Sequence, residues 1–195
     1  DDRDFVSFAS ACPELRDRTL VVNGVSKAYA MTGWRIGYGA GPAGLIMEMV
    51  KVQSQISSGS CSVAQAAAAA ALTGPQDHIE QFRAAFERRR NIVVDGIAKI
   101  PRLSLEPPGG AFYTLIGCDN VIGAATPDGS VIHDDADFAR FVLEDGHVAC
   151  VPGAAYGLSP YIRFSTATSD ENLIEAVSRI EKSVAKLTLR DGINA

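Results

Sequence analysis

Apolar positions along the chain change period several times, and each change marks an expected element. Residues 19–23, TLVVN, form a short continuous β-branched run that predicts a buried strand, and 35–41, RIGYGAG, predict a second strand loosened by glycine. Pro42 then suits the first turn of a helix over 43–56, with Leu45, Met49, Val52 and Ile56 at helical spacing. SSGS at 57–60 breaks that helix, and the alanine-rich 62–72 predict another, packed closely through its small side chains. Residues 76–100 predict a long amphipathic helix with Ile79, Phe82, Phe86, Ile92, Val93 and Ile97 inward and the RRR run at 88–90 on its solvated face.

Beyond Pro101 the texture changes. Residues 103–117 read as strand, Pro-Pro-Gly-Gly turn and strand; 118–134 as a polar loop; 134–146 as a helix ended by Gly146; 147–153 and 161–167 as strands. Residues 169–187 predict a final helix capped by Ser169 or Asp170, with acids in its first turn. The natural boundary falls at 74–76. The expected fold is α/β: residues 1–74 a piece of an α/β layer, and 75–195 a smaller α+β unit opened by the long helix.

Composition narrows the function. A chain of 195 residues with 47% hydrophobic and 21% charged residues builds a sizeable core. A net charge of -5 gives no support to nucleic-acid binding. The longest apolar runs fall far short of the ~20 residues a membrane span needs, so no membrane role is expected. Four widely spaced cysteines without a C-x-x-C pair suggest reduced thiols and a cytoplasmic location, and the three histidines do not join them at metal-ligand spacing, so no metal site is expected. The chain opens at Asp1 and its first methionine is Met31, which suggests a processed product or a fragment.

Three constellations carry candidate chemistry. Lys27 follows a strand of buried type in a stretch with almost no other charge; partial desolvation there favours the neutral amine, which forms a Schiff base with an aldehyde. An ordinary solvated lysine remains the alternative. Ser26 and Thr32 offer hydroxyls nearby, and Arg35 offers a fork for an oxyanion such as phosphate. GAGPAG at 39–44 satisfies G-x-G-x-x-G through Gly39, Gly41 and Gly44, but lacks the ribose-binding acid expected ~20 residues on. Arg163 lies mid-strand in YIRFSTATS, where it is either paired internally, turned outward, or placed to grip a carboxylate. Tyr29, Tyr113 and Tyr156 read as packing residues.

The segment NGVSKAYAMTGWRIGY at 23–38 resembles the lysine segment of class I/II aminotransferases, the aspartate aminotransferase family of fold-type-I pyridoxal-phosphate enzymes. PPGGAFYTL at 107–115, VACVPGAAYG at 148–157 and YIRFSTATS at 161–169 resemble later blocks of that family, in the same order. The resemblance spans residues 19–187. It implies the end of the large cofactor-binding domain at 1–74 and the C-terminal small α+β domain at 75–195. It implies that Lys27 anchors pyridoxal 5'-phosphate, that Arg35 binds its phosphate and that Arg163 holds the substrate α-carboxylate. Many relatives carry a phosphate-binding serine where this chain has Gly24, with Ser26 a weak substitute. The implied activity is amino transfer between amino acids and 2-oxo acids, aspartate or a related donor, by a cytoplasmic homodimer. The family residues that hold the cofactor ring do not map onto this sequence, so the chain alone is expected to be an inactive fragment. A dinucleotide-binding domain and a non-catalytic relative of the aminotransferases are the alternatives.

Overall fold

The computed structural model describes residues 4–188. The chain divides into two compact units, Asp1–Arg83 and Ala84–Ala195. In the first, α1 (Phe8–Ala11) and a 3-10 turn precede the antiparallel pair β1 (Val21–Gly24) and β2 (Gly37–Ala40), followed by α2 (Ala43–Ile56) and α3 (Ser62–Thr73). The helix α4 (Asp77–Ile97) contains the division between the units. Burial in the first unit is sparse: Val25, Ala64 and Ala68 are its only buried apolar side chains among the described residues. The helical spacing in α2 is real, yet Leu45, Met49, Val52 and Ile56 are all exposed, as is Phe82 in α4. Periodicity identifies an apolar face; it does not supply the surface that covers it.

The second unit holds the core. Strands β3 (Ser104–Leu105), β4 (Tyr113–Gly117), β5 (Val151–Pro152) and β6 (Tyr161–Ser165) form an antiparallel sheet in the order β3-β4-β6-β5. Side chains alternate across the two central strands: Thr114, Ile116, Ile162 and Phe164 are buried, while Tyr113, Leu115, Arg163 and Ser165 lie on the opposite face, partly or fully exposed. The buried face joins Val93 and Ile97 of α4, Phe138 and Val142 of α5 (Asp135–Gly146), and Leu173, Val177 and Ile180 of α6 (Asp170–Ala185) in one cluster.

Local chemistry explains the helix ends. Asp134 caps α5 by accepting from the Asp137 N–H, and Ser169 caps α6 by accepting from the Asn172 N–H. The left-handed residue that ends α5 is His147 (φ 54°) rather than Gly146. Gly146 is needed for a different reason: a Cβ there would lie 2.9 Å from Ser183 Oγ of α6. The arginine run is also not a merely solvated face. Arg88 and Arg89 both donate to Asp170 at the start of α6, and Arg90 donates to the Pro108 carbonyl.

Candidate active site

The last pair of the β1–β2 ladder is Gly24↔Gly37, so residues 25–36 form the loop that closes it. Both glycines permit close backbone approach. A Cβ on Gly24 would lie 3.2 Å from the Ile36 carbonyl oxygen, and one on Gly37 3.1 Å from that of Asn23. Val25, fully buried, anchors the exit of the strand. The chain then turns, with the Ala30 N–H donating to the Lys27 carbonyl at 3.1 Å and Ala30 left-handed at φ 53°. A 3-10 turn over Thr32–Trp34 follows, and Arg35 ends it in the left-handed region at φ 51°, ψ 48°. Two non-glycine residues in that region within six positions cost ~1–2 kcal/mol each, strain of the kind that collects at functional sites. The Arg35 guanidinium donates back to the Thr32 carbonyl at 2.9 Å.

This loop brings three of the expected site residues together. Ser26, Lys27 and Arg35 line one open depression of about 540 Å³ with Asn23, Gly24 and Gly37. Its lining carries two cations and no carboxylate. A primary amine, a hydroxyl, a guanidinium and glycine-exposed backbone fit a ligand that pairs an aldehyde with a phosphate. Lys27 itself is exposed, contrary to the desolvation expected from its sequence neighbours. The strand expected to be buried is itself largely exposed, with Val22 74% exposed, so only Val25 is covered and the turn leaves the lysine in solvent.

The glycines of the competing motif do different work. Gly39 and Gly41 belong to β2 and its exit, where a Cβ on Gly41 would lie 3.1 Å from both Leu20 Cδ1 and the Thr19 carbonyl oxygen. That strand pairs antiparallel with β1, so the parallel strand–helix–strand unit that a dinucleotide fingerprint requires is absent among the described residues of this unit.

Arg163 lies in the second unit, on the open face of the sheet, and is half-buried. Among the described residues no acid pairs with it. Its guanidinium carbon instead lies over two aromatic rings, 4.2 Å from the Tyr113 ring centre and 4.6 Å from that of Tyr156. Each such contact contributes ~0.5–2 kcal/mol, depending on desolvation. Neither ring contact uses a hydrogen bond to an oxygen, so the guanidinium N–H groups remain for a partner such as a carboxylate. The two tyrosines were expected only to pack. Tyr113 becomes visible as a site residue once Leu115 is known to pair with Arg163, which places Tyr113 diagonally across on the same face. Tyr156 arrives on a 3-10 turn, Gly153–Tyr156, and no spacing rule points to it. Tyr29 takes a structural part, donating to Gln76 Oε1 at 2.9 Å with its ring tilted against that of His78, 5.5 Å between centres.

Cys12, Cys61, Cys118 and Cys150 are all unpaired. Burial, with Asp135, Asp119 and Asp134 adding to it, pushes the Cys118 thiol up to about 12, and burial does the same to Cys150. Cys61 moves the other way because the Ala64 and Val63 N–H groups at the start of α3 favour its thiolate. No group of side chains capable of holding a metal ion occurs among the described residues.

Comparison with known proteins bears on both halves of this geometry. The family model for aminotransferase class I and II matches residues 2–180. This chain belongs to that family. It is similar to the aspartate aminotransferase of Rhizobium meliloti, 54% identical over 184 residues, covering 94% of this chain and 45% of the relative. It is also similar to a probable aspartate/prephenate aminotransferase of Rickettsia felis, 42% identical over 99% of this chain and 47% of the relative. Among solved structures, the Rhizobium meliloti aspartate aminotransferase superposes with a TM-score of 0.92 at 52% identity, over 96% of this chain and 47% of that one. An aromatic aminotransferase from Pyrococcus horikoshii superposes at 0.84 with 34% identity, over 95% and 47%. The chain thus has the α/β fold of the aminotransferases and spans about half the length of the curated relatives it matches.

Proposed function

We propose that this chain is the lysine-bearing and carboxylate-binding portion of a pyridoxal-phosphate-dependent aminotransferase that transfers the amino group of aspartate or a related amino acid to a 2-oxo acid. The observation that carries this reading is Arg163: half-buried, held against Tyr113 and Tyr156, and without an acidic partner among the described residues. A guanidinium kept in this way is organised for an anion from outside the fold. The names of the Rhizobium and Rickettsia relatives support the aspartate-type substrate class.

Each residue has a role at a stated atom. Lys27 Nζ would anchor the cofactor, and as a free amine it would take the proton from the substrate Cα. Arg35, with the Ser26 hydroxyl and the backbone beside Gly24, holds the phosphate in the depression they share. Arg163 fixes the α-carboxylate, so the Cα–H bond is presented in one orientation. The bound cofactor supplies the electron sink for the pair left on Cα. In the same reading the working enzyme is a cytoplasmic homodimer, and this chain alone has no turnover.

Borohydride reduction of the full-length protein with pyridoxal phosphate is expected to label Lys27, and Lys27→Ala to abolish transamination. Label on another lysine, or turnover surviving in Lys27→Ala, defeats the proposal. Turnover by the isolated chain defeats the proposal of an inactive fragment alone.

A further inference from the structure

Asp135 is a buried carboxylate, 1% exposed, that none of the chemistry above uses. It occupies the first position of α5, and both of its oxygens are engaged. Oδ2 accepts from the Ala154 N–H at 2.7 Å, and Oδ1 accepts from the Ser159 hydroxyl at 2.9 Å. Both donors belong to the segment joining β5 to β6, and they flank Tyr156, whose ring covers Arg163.

We propose that Asp135 is a positioning residue for carboxylate capture: it clamps the 153–159 turn and thereby holds Tyr156 against the Arg163 guanidinium. The inference rests on the reading of Arg163 given under Proposed function.

The turn packs against both α5 and β6, but among the described residues the side-chain hydrogen bonds made to it come from Asp135. Within the turn, the Leu158 N–H donates to the Gly153 carbonyl and the Gly157 N–H to that of Ala154, which closes it on itself. Gly153 sits so tightly that a Cβ would lie 1.8 Å from the Leu158 carbonyl oxygen. Tyr156 is 54% exposed, so core packing does not fix its ring. Its placement follows from the backbone that carries it, and that backbone is tied to the helix layer through Asp135. A carboxylate suits this task because its charge shortens and strengthens both hydrogen bonds. Asparagine retains the geometry, accepting from the Ala154 N–H and donating to Ser159 Oγ. Alanine leaves the Ala154 N–H and the Ser159 hydroxyl without their acceptor. Tyr156 is then released, and the guanidinium loses one of its two aromatic partners.

The test uses the cofactor-loaded full-length protein, with maleate as a non-reacting dicarboxylate. Asp135→Ala is expected to weaken maleate binding about tenfold and to raise KM for the amino donor by a similar factor, with kcat within about twofold. Asp135→Asn is expected to return both to within about threefold of the parent, a rescue that loss of folded protein would not produce in this pattern. Tyr156→Leu, at a half-exposed position, is expected to reproduce the maleate loss, and it decides the matter where Asp135→Ala does not fold. Parent-like maleate affinity in folded Asp135→Ala, or in Tyr156→Leu, overturns the proposal. Arg163→Lys is the control. Unchanged affinity there removes the Arg163 reading and the Asp135 role with it, whereas a loss there beside an unaffected Asp135→Ala removes the Asp135 role alone.

Discussion

Single residues in this chain are decided by which face of a strand they occupy. Arg163 has buried neighbours on both sides, Ile162 and Phe164, yet it points to the other face of the sheet, where two tyrosines receive it. The alternation therefore removes the cost of burying a guanidinium and leaves a cation against two aromatic rings, with no acid paired to it among the described residues. Replacing it by lysine keeps the charge and removes the planar fork. The Arg163→Lys enzyme is expected to show a KM for amino donors raised about ten- to hundredfold, the equivalent of a lost charge-assisted hydrogen bond, as read from steady-state kinetics of the full-length protein. Gly153 makes the opposite point, that some positions admit no side chain. Its nearest neighbours are the Leu158 and Tyr161 carbonyl oxygens, which are backbone and cannot swing away. Gly153→Ala is expected to lower stability by about 2–3 kcal/mol or more, measured by urea denaturation.

At the scale of elements, the second unit is joined by charges at helix ends as well as by its core. Asp170, at the start of α6, receives Arg88 and Arg89 from α4, and Asp145 of α5 receives Lys186 and the Ser183 hydroxyl from the end of α6 and the residue after it. The hydrogen bond from Lys186 and then that from Ser183 hold the Asp145 carboxyl below its ordinary range, and the bond from Arg88 does the same first for Asp170. A carboxylate with a depressed folded-state pKa contributes stability above its unfolded value of about 3.9, and loses it as pH falls through the lower folded value. Stability is therefore expected to drop below about pH 4. Asp145→Asn is expected to cost about 0.5–1 kcal/mol near neutrality and to flatten that acid slope, a pair of effects that urea midpoints at neutral and acid pH read together. Most of these elements were legible in the sequence: the strands on either side of Lys27, the strand carrying Arg163, the helices after Pro42 and the Ser169 cap follow from period, propensity and capping chemistry, whereas the short helix Phe8–Ala11 was not. Partners were not. Nothing local to the arginine run at 88–90 indicates that it ties down α6, because the contact joins residues about eighty positions apart.

For the whole molecule, the distribution of burial sets the order of stability. Large buried side chains such as Phe138, Ile116, Ile162, Leu173 and Ile180 all lie in the second unit, while in the first unit many large apolar side chains, Trp34, Val50 and Ile56 among them, are exposed. Regions poor in buried contacts open at low free energy. In the isolated chain, amide exchange is expected to be slow in β4, β6, α5 and α6 and fast in β1 and β2. Equal protection of both groups would contradict this. No helix among the described residues is long and apolar enough to cross a membrane, so the exposed apolar side chains of α2 and β1 are not parts of a spanning helix.

The sequence by itself determined what its local rules can reach. It set the α/β order of elements, the glycine-framed loop that holds Ser26, Lys27 and Arg35, the strand that carries Arg163, and, through blocks in a fixed order, the family. Tertiary structure decided which expected faces are covered, that Lys27 stands exposed, that His147 rather than Gly146 takes the left-handed turn, that Tyr113 and Tyr156 lie against Arg163, and that Asp135 holds the turn carrying Tyr156. The reason is range. Period, propensity and capping act over a few residues, whereas strand register, a cation against two rings and a carboxylate clamping a distant turn arise only when segments far apart in the chain are brought to within a few ångströms.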